Sequence, residues 1–331
     1  MSISESKSQE LIQGFIKEIK KIIPSFEFFY SSGTSVNEIV KSIELQLRVS
    51  QNLFHSSLSN WEPTREIIHY TSIDSLFNIL HTSKLRLYDL NYSNDPQEYS
   101  NTLKRCGINL SENKIEEIKS SIFTSSFCKY LSKSDESLNM WRLYGYNGNG
   151  VGLVFEVKNE KDDWNEYLLK NVIYQDVNAD LLIQQLYKLI DEYSQKGLQL
   201  QDTPMVIELI VSFFKDAIWH FENEIRLSTH YKYDINDYTP NDMYSSEKHI
   251  YECLSKSGTR SAYIELPLYE NSNENTHNKI QLQLKEVIIG YNVNHTQAEL
   301  IKDIVLKYSM LKYNRYVISI DSRFRNYFQK N

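Results

Sequence analysis

Four short runs of this 331-residue chain concentrate side chains that can do chemistry. They are His69-Tyr70-Thr71-Ser72, Asn94-Asp95-Pro96-Gln97-Glu98, Met140-Trp141-Arg142-Leu143-Tyr144-Gly145 and Trp219-His220-Phe221-Glu222-Asn223-Glu224-Ile225-Arg226. Asp95, Glu98, Glu222 and Glu224, with Lys232, are the carboxylates and the lysine that a metal-dependent nuclease would need. Each run also has a plain structural reading. His69, between Ile67-Ile68 and Tyr70, is a satisfied core histidine. Asn94-Asp95-Pro96 is an Asx-type turn. Trp141 and Trp219 are core anchors, and Tyr144 is packing. Glu222 and Glu224 alternate with Phe221, Asn223 and Ile225. That pattern belongs on the solvated face of an edge strand, with Arg226 paired to the two carboxylates.

Elements of both kinds must position these runs. Leu11, Ile12, Phe15, Ile16, Ile19, Ile22 and Ile23 form one apolar stripe, which predicts a helix closed by Pro24. Ser35 to Glu38 has capping-box spacing, and Val36, Ile39, Val40, Ile43 and Leu47 predict a second helix. Residues 1–62 therefore read as a helical N-terminal unit, which either packs on the rest or serves oligomer or partner contact. Residues 63–331 read as an α+β domain. Strands are expected at Ile67–Tyr70, Leu85–Tyr88, Ile122–Cys128, Val151–Val157, Glu224–His230, Ser261–Leu266, Val287–Tyr291 and Tyr316–Ile320. Helices are expected at Ile73–Leu80 behind Ser72 as cap, at 111–121, at Ser137–Tyr144, near 180–195 and 204–220, and at 295–309. Residues 233–260 read as a polar excursion with a short helix. On a strand, Glu222 and Glu224 share a face.

Taken in order, the runs resemble a large bacterial family filed as a domain of unknown function. Its pattern is HYTS, NDPxE, a Ser-Phe strand (here Ser126-Phe127), MWxxY and WxxExExR, followed by a strand like Glu286 to Gly290. The resemblance spans about residues 65–292. A looser one reaches the ADP-ribosyltransferase superfamily. There a strand carrying His and Thr precedes a helix, as His69, Thr71 and Leu76 to Leu80 do. A later Tyr stacks on nicotinamide, and a last strand opens with the catalytic Glu.

That resemblance implies an ADP-ribosyltransferase-like split mixed sheet with flanking helices. The implied chemistry is cleavage of NAD, taken as a substrate, with transfer of ADP-ribose to a macromolecular acceptor (protein or nucleic acid) or to water. Glu224 would stabilise the positive charge that builds on the ribose, and Glu222 would orient the nucleophile. His69 would hydrogen-bond the adenosine ribose. Tyr144, with Tyr70 in reserve, would stack on nicotinamide. Thr71, Ser126 and Arg142 complete the implied NAD-binding set. By analogy, such a protein is a toxin or phage-defence effector. The competing readings are the metal-dependent nuclease and a non-catalytic sensing or adaptor module.

Composition narrows the field. The chain holds 24 Tyr but 10 Gly and 6 Pro, and neither GxGxxG nor GxxxxGK[ST] occurs, so the two common phosphate-cradling loops are missing. A net charge of −7 argues against broad, unaided nucleic-acid binding. Cys106, Cys128 and Cys253 are odd in number and form no CxxC, and the histidines are scattered, so neither a disulfide framework nor a zinc site is expected. With no signal-peptide pattern and no apolar stretch long enough for a bilayer, the expected location is the cytoplasm.

Overall fold

The computed structural model describes residues 5–24, 29–30, 45–46, 62–95, 97–159, 167–198, 203–230, 249–254, 258, 260–269, 280–313 and 317–325. The strands run β1 (Phe29–Tyr30), β2 (Leu45–Gln46), β3 (Glu66–Thr71), β4 (Lys84–Asp89), β5 (Ile122–Lys129), β6 (Val151–Val157) and β7 (Leu168–Asn171). They continue with β8 (Ile173–Tyr174), β9 (Phe214–Lys215), β10 (Glu224–His230), β11 (Tyr251–Leu254), β12 (Arg260–Pro267), β13 (Leu282–Ile289) and β14 (Ile318–Asp321). The helices are α1 (Glu5–Ile22), α2 (Ile73–Thr82), α3 (Glu98–Arg105), α4 (Glu112–Ser121), α5 (Leu138–Leu143), α6 (Val177–Gln195), α7 (Thr203–Val211) and α8 (His295–Tyr313). No helix among the described residues is long and apolar enough to cross a membrane.

The protein is α+β, with a mixed and mostly antiparallel sheet flanked by helices. Ten strands form the main sheet, in the order β11-β12-β4-β5-β3-β6-β13-β14, with β10 paired to β5 and β7. β5 organises it. One edge of β5 is filled by β10 from Ile122 to Cys128. The other edge is shared. β4 pairs only with Phe123 and Thr124, and β3 only with Cys128 and Lys129. Ser125, Ser126 and Phe127 face neither strand in register, so the sheet splits there. The C-terminal half of β3 follows β6, and the N-terminal half of β4 follows β12. α2 bridges the two halves. It starts where the Ser72 hydroxyl accepts from the Ser75 N–H, and it buries Leu76, Ile79 and Leu80.

Alternation along β3 sends Ile67 into the apolar layer beneath α2 and α8, and Ile68 and Tyr70 into the layer beneath α5. A third layer joins α1 to α6. Ile12, Phe15, Ile19 and Ile23 are buried there against Ile183, Leu186 and Tyr193, and Phe15 meets Tyr193 edge to face at 5.2 Å. Each such fully buried side chain contributes about 1.5–3 kcal/mol.

Three expectations need correction. Residues 204–220 are not one helix: α7 stops at Val211, and β9 and a 3-10 turn, Ala217–Glu222, follow. Leu45–Gln46, at the end of the expected second helix, pair instead with Phe29–Tyr30 as extended chain; the rest of that helix lies outside the described residues. Tyr251–Leu254, inside the expected polar excursion, is a strand, and residues 231–248 lie outside the described residues.

Candidate functional site

The split in the sheet opens into a cavity of about 300 Å3, at the lower end of the roughly 300–1,000 Å3 of small-molecule sites. Its walls include His69, Tyr70 and Thr71 from β3, Ser126 from β5, Tyr144 after α5, and Glu222 and Glu224. Arg142, on the exposed side of α5, does not line it. Only this one of the expected binding residues lies outside the walls.

Ser126 ties two of these residues together. Its hydroxyl donates to Glu224 Oε1 at 2.5 Å, and its carbonyl lies 2.8 Å from His69 Nδ1. A carbonyl only accepts, so Nδ1 carries the proton and Nε2 of the neutral ring is an acceptor. Burial pushes the His69 pKa down, against the pull of that carbonyl, which favours the neutral ring.

Glu224 opens β10, but β10 is not an edge strand. It lies between β5 and β7, and Glu224 is 4% exposed. The solvated-face reading fails for this reason. Both carboxylate oxygens are engaged. Oε1 also accepts from Arg226 Nε at 2.8 Å, and Oε2 accepts from Arg226 Nη2 at 3.0 Å and from Lys215 Nζ at 3.1 Å. The Glu224 N–H donates to the Tyr174 hydroxyl at 2.7 Å. Burial disfavours the charge on Glu224, but Arg226 and Lys215 outweigh it and, with Ser126, hold the carboxyl at about 2.

Glu222 reaches the same cluster by a different route from the one expected. It ends the 3-10 turn rather than lying on the strand, and Asn223 follows with φ 45°, in the left-handed region that Asn tolerates. Glu222 is 3% exposed. Its Oε1 accepts from the Tyr144 hydroxyl at 2.5 Å and its Oε2 from Lys215 at 2.7 Å. Burial and the Glu222 carboxylate push the Tyr144 hydroxyl pKa up, so the ring stays a neutral donor. Tyr70 is a core residue: it is 6% exposed, packs edge to face on Trp141 at 5.0 Å, and accepts from the Ser137 N–H through its hydroxyl.

Lys215 is the residue that sequence reasoning missed. Its ammonium lies 3.2 Å from Glu98, 2.7 Å from Glu222 and 3.1 Å from Glu224. Arg226 also bonds Glu98, at 2.9 Å, and the Ser212 carbonyl. Three carboxylates thus meet two cations, a formal charge of −1 in a nearly buried site. Burial opposes the Lys215 charge, but Glu224, Glu98 and Glu222 hold its pKa above the ordinary value. The parallel pairing of β8 with β9 sets Lys215 beside Tyr174. The signal in the sequence was a charge inside an apolar run, which must be paired once buried.

Trp219 was expected in the core. It lines the cavity half-buried, with the Lys215 ammonium 5.4 Å from its ring centroid, and its Nε1 has no hydrogen-bond partner among the described residues. Trp141 is a core anchor: it is fully buried and donates to Glu136 at 3.0 Å. Asp95 makes the expected turn, accepting from the Gln97 N–H at 2.9 Å. Lys232, the lysine of the nuclease reading, lies outside the described residues. Among the described residues no three His, Cys, Asp or Glu side chains are grouped to hold a metal ion. Glu98, Glu222 and Glu224 converge on Lys215 instead.

No curated protein and no solved structure matches the chain. Residues 140–227, which carry Tyr144, Lys215, Glu222, Glu224 and Arg226 but not His69 or Ser126, match a family described as Protein of unknown function (DUF2971).

Proposed function

We propose that this cavity is the active site of an ADP-ribosyltransferase-like enzyme that cleaves the nicotinamide–ribose bond of NAD and passes ADP-ribose to an acceptor or to water. The observation that carries the reading is the double engagement of Ser126. One residue joins His69 and Glu224, which lie 155 positions apart in the chain, and does so at the split of the sheet.

The chemistry follows from the charges. As the glycosidic bond breaks, its electron pair goes to the nicotinamide nitrogen and the ribose carbon becomes cationic. A preorganised site of formal charge −1 stabilises that cation without reorganising. Glu224 is the carboxylate placed for it, because Arg226 and Lys215 keep it ionised. Ser126 faces the cavity, so a ribose hydroxyl can take over its bond to Oε1. Tyr144 and Trp219 supply planar faces for nicotinamide, and Glu222 orients the incoming nucleophile. His69 offers Nε2 to a ribose hydroxyl.

The test is a crystal structure with a non-cleavable carbocyclic analogue of NAD. The expected result is the nicotinamide ring against Tyr144 and the adjoining ring hydroxyl on Glu224. An analogue bound elsewhere, or not bound at millimolar concentration, overturns the reading.

A further inference from the structure

A row of three in-register tyrosines crosses the sheet and reaches the same cavity. Tyr251 faces Tyr263, and Tyr263 faces Tyr88, on β11, β12 and β4. Tyr251 and Tyr263 are stacked with centroids 5.1 Å apart, and Tyr263 meets Tyr88 at 5.5 Å. Tyr92, just after β4, continues the row, stacked on Tyr88 at 4.0 Å and 21°. Tyr88 and Tyr92 both line the cavity.

Arg86 shares the face of β4 with Tyr88 and also lines the cavity. Its guanidinium sits 4.5 Å from the Tyr263 centroid and is hydrogen-bonded to Tyr88. The other cations of the cavity wall are neutralised: Lys84 by Glu265, and Lys215 and Arg226 by Glu98, Glu222 and Glu224. Arg86 has no ion pair among the described residues. Glu265 faces Arg86 in register across β12 and favours its charge, but the Glu265 carboxylate is bonded to Lys84 at 2.8 Å, and Asp89 is already bonded to the Ser261 hydroxyl and the Ala262 N–H. Cross-strand aromatic pairs stabilise a sheet by themselves. They do not account for an oriented guanidinium at a cavity wall that makes no ion pair among the described residues.

The geometry points to a nucleotide subsite, in which a purine extends the tyrosine stack on Tyr92 and Arg86 takes the adjacent phosphate. We infer that it holds the adenosine monophosphate half of the dinucleotide, a step that rests on the reading of the cavity as an NAD site. Stacking on a tyrosine and a charge-assisted bond from a fixed guanidinium each supply about tenfold in affinity.

The experiment is calorimetric titration of the full chain with AMP and with adenosine. Arg86→Gln is expected to weaken AMP about tenfold and to leave adenosine unchanged. Tyr92→Ala is expected to weaken both about tenfold, while Tyr92→Trp, which keeps a stacking face, binds both as the parent does. AMP that fails to bind the parent overturns the inference, as does a parent-like affinity in Arg86→Gln and Tyr92→Ala. Binding of a single-stranded oligonucleotide without AMP also overturns it. The two readings fail separately. AMP binding with these variant effects, but no nicotinamide release, leaves the nucleotide subsite and removes the NAD chemistry. Release that survives in both variants with unchanged AMP affinity does the reverse.

Discussion

Replacing Glu224 by Gln tests how the site is held together. The carboxylate takes four donors: the Ser126 hydroxyl, two nitrogens of Arg226 and the Lys215 ammonium. Glutamine keeps one acceptor oxygen and sets an NH2 group against donors. It also removes the charge that Arg226 and Lys215 stabilise. A carboxyl held at about 2 instead of its ordinary 4.5 contributes about 3 kcal/mol to folding at neutral pH. The sign follows from proton binding: the unfolded chain protonates first, so this contribution is complete above pH 4.5 and is lost as pH falls towards 2. Urea unfolding of parent and variant between pH 7 and pH 3 reads it directly. The expected loss in Glu224→Gln is about 3 kcal/mol at pH 7, shrinking steadily below pH 4.5. A loss under about 1 kcal/mol, the range of an exposed ion pair, or a gap that does not change with pH, would refute the reasoning.

Other perturbations separate the parts of the site. Lys215→Met leaves three buried carboxylates with Arg226 alone, and should cost about 3–5 kcal/mol in the same unfolding assay. His69 should stay neutral with its proton on Nδ1 through pH 6.5, which nitrogen chemical shifts report. Because its folded pKa is depressed, its contribution to stability is present above about pH 6.5 and fades as the unfolded chain protonates. Gly150→Ala places a Cβ 2.2 Å from the Thr71 carbonyl oxygen. Thr71 is paired with Val151 at the end of β3, so neither backbone yields easily, and a loss of about 3 kcal/mol is expected by thermal or urea unfolding. Arg142→Ala, on the exposed side of α5, should change stability by less than about 0.5 kcal/mol and leave nicotinamide release at the parent rate.

The elements around the site were readable where an apolar period was long. The helix after Ser72, the β5 and β6 strands and the strand opening at Glu224 all lie where the patterning puts them. α3 was missed because it buries only a few residues, Tyr99, Thr102 and Leu103, and directly follows the Asx-type turn at Asn94-Asp95-Pro96. β7 and β9 are too short to show a period. The run from Met205 to Trp219 has enough apolar residues for one helix, yet Lys215 must reach three carboxylates brought from different elements. That demand is tertiary, and its one local trace is a charge inside an apolar run. For the same reason the route of Glu222 into the cluster was derived wrongly: it ends a 3-10 turn before the left-handed Asn223 rather than alternating on the strand. The link from His69 through Ser126 to Glu224 depends on β5 being shared by β3 and β10, and spacing alone does not reveal it.

The most direct measurement is nicotinamide release from NAD by the purified chain, with and without cell extract, beside a Glu224→Gln variant shown by circular dichroism to be folded. Release by the parent and its loss in the variant is the expected result. Equal release by both, or none from the parent under either condition, would contradict an NAD-cleaving site at Glu224.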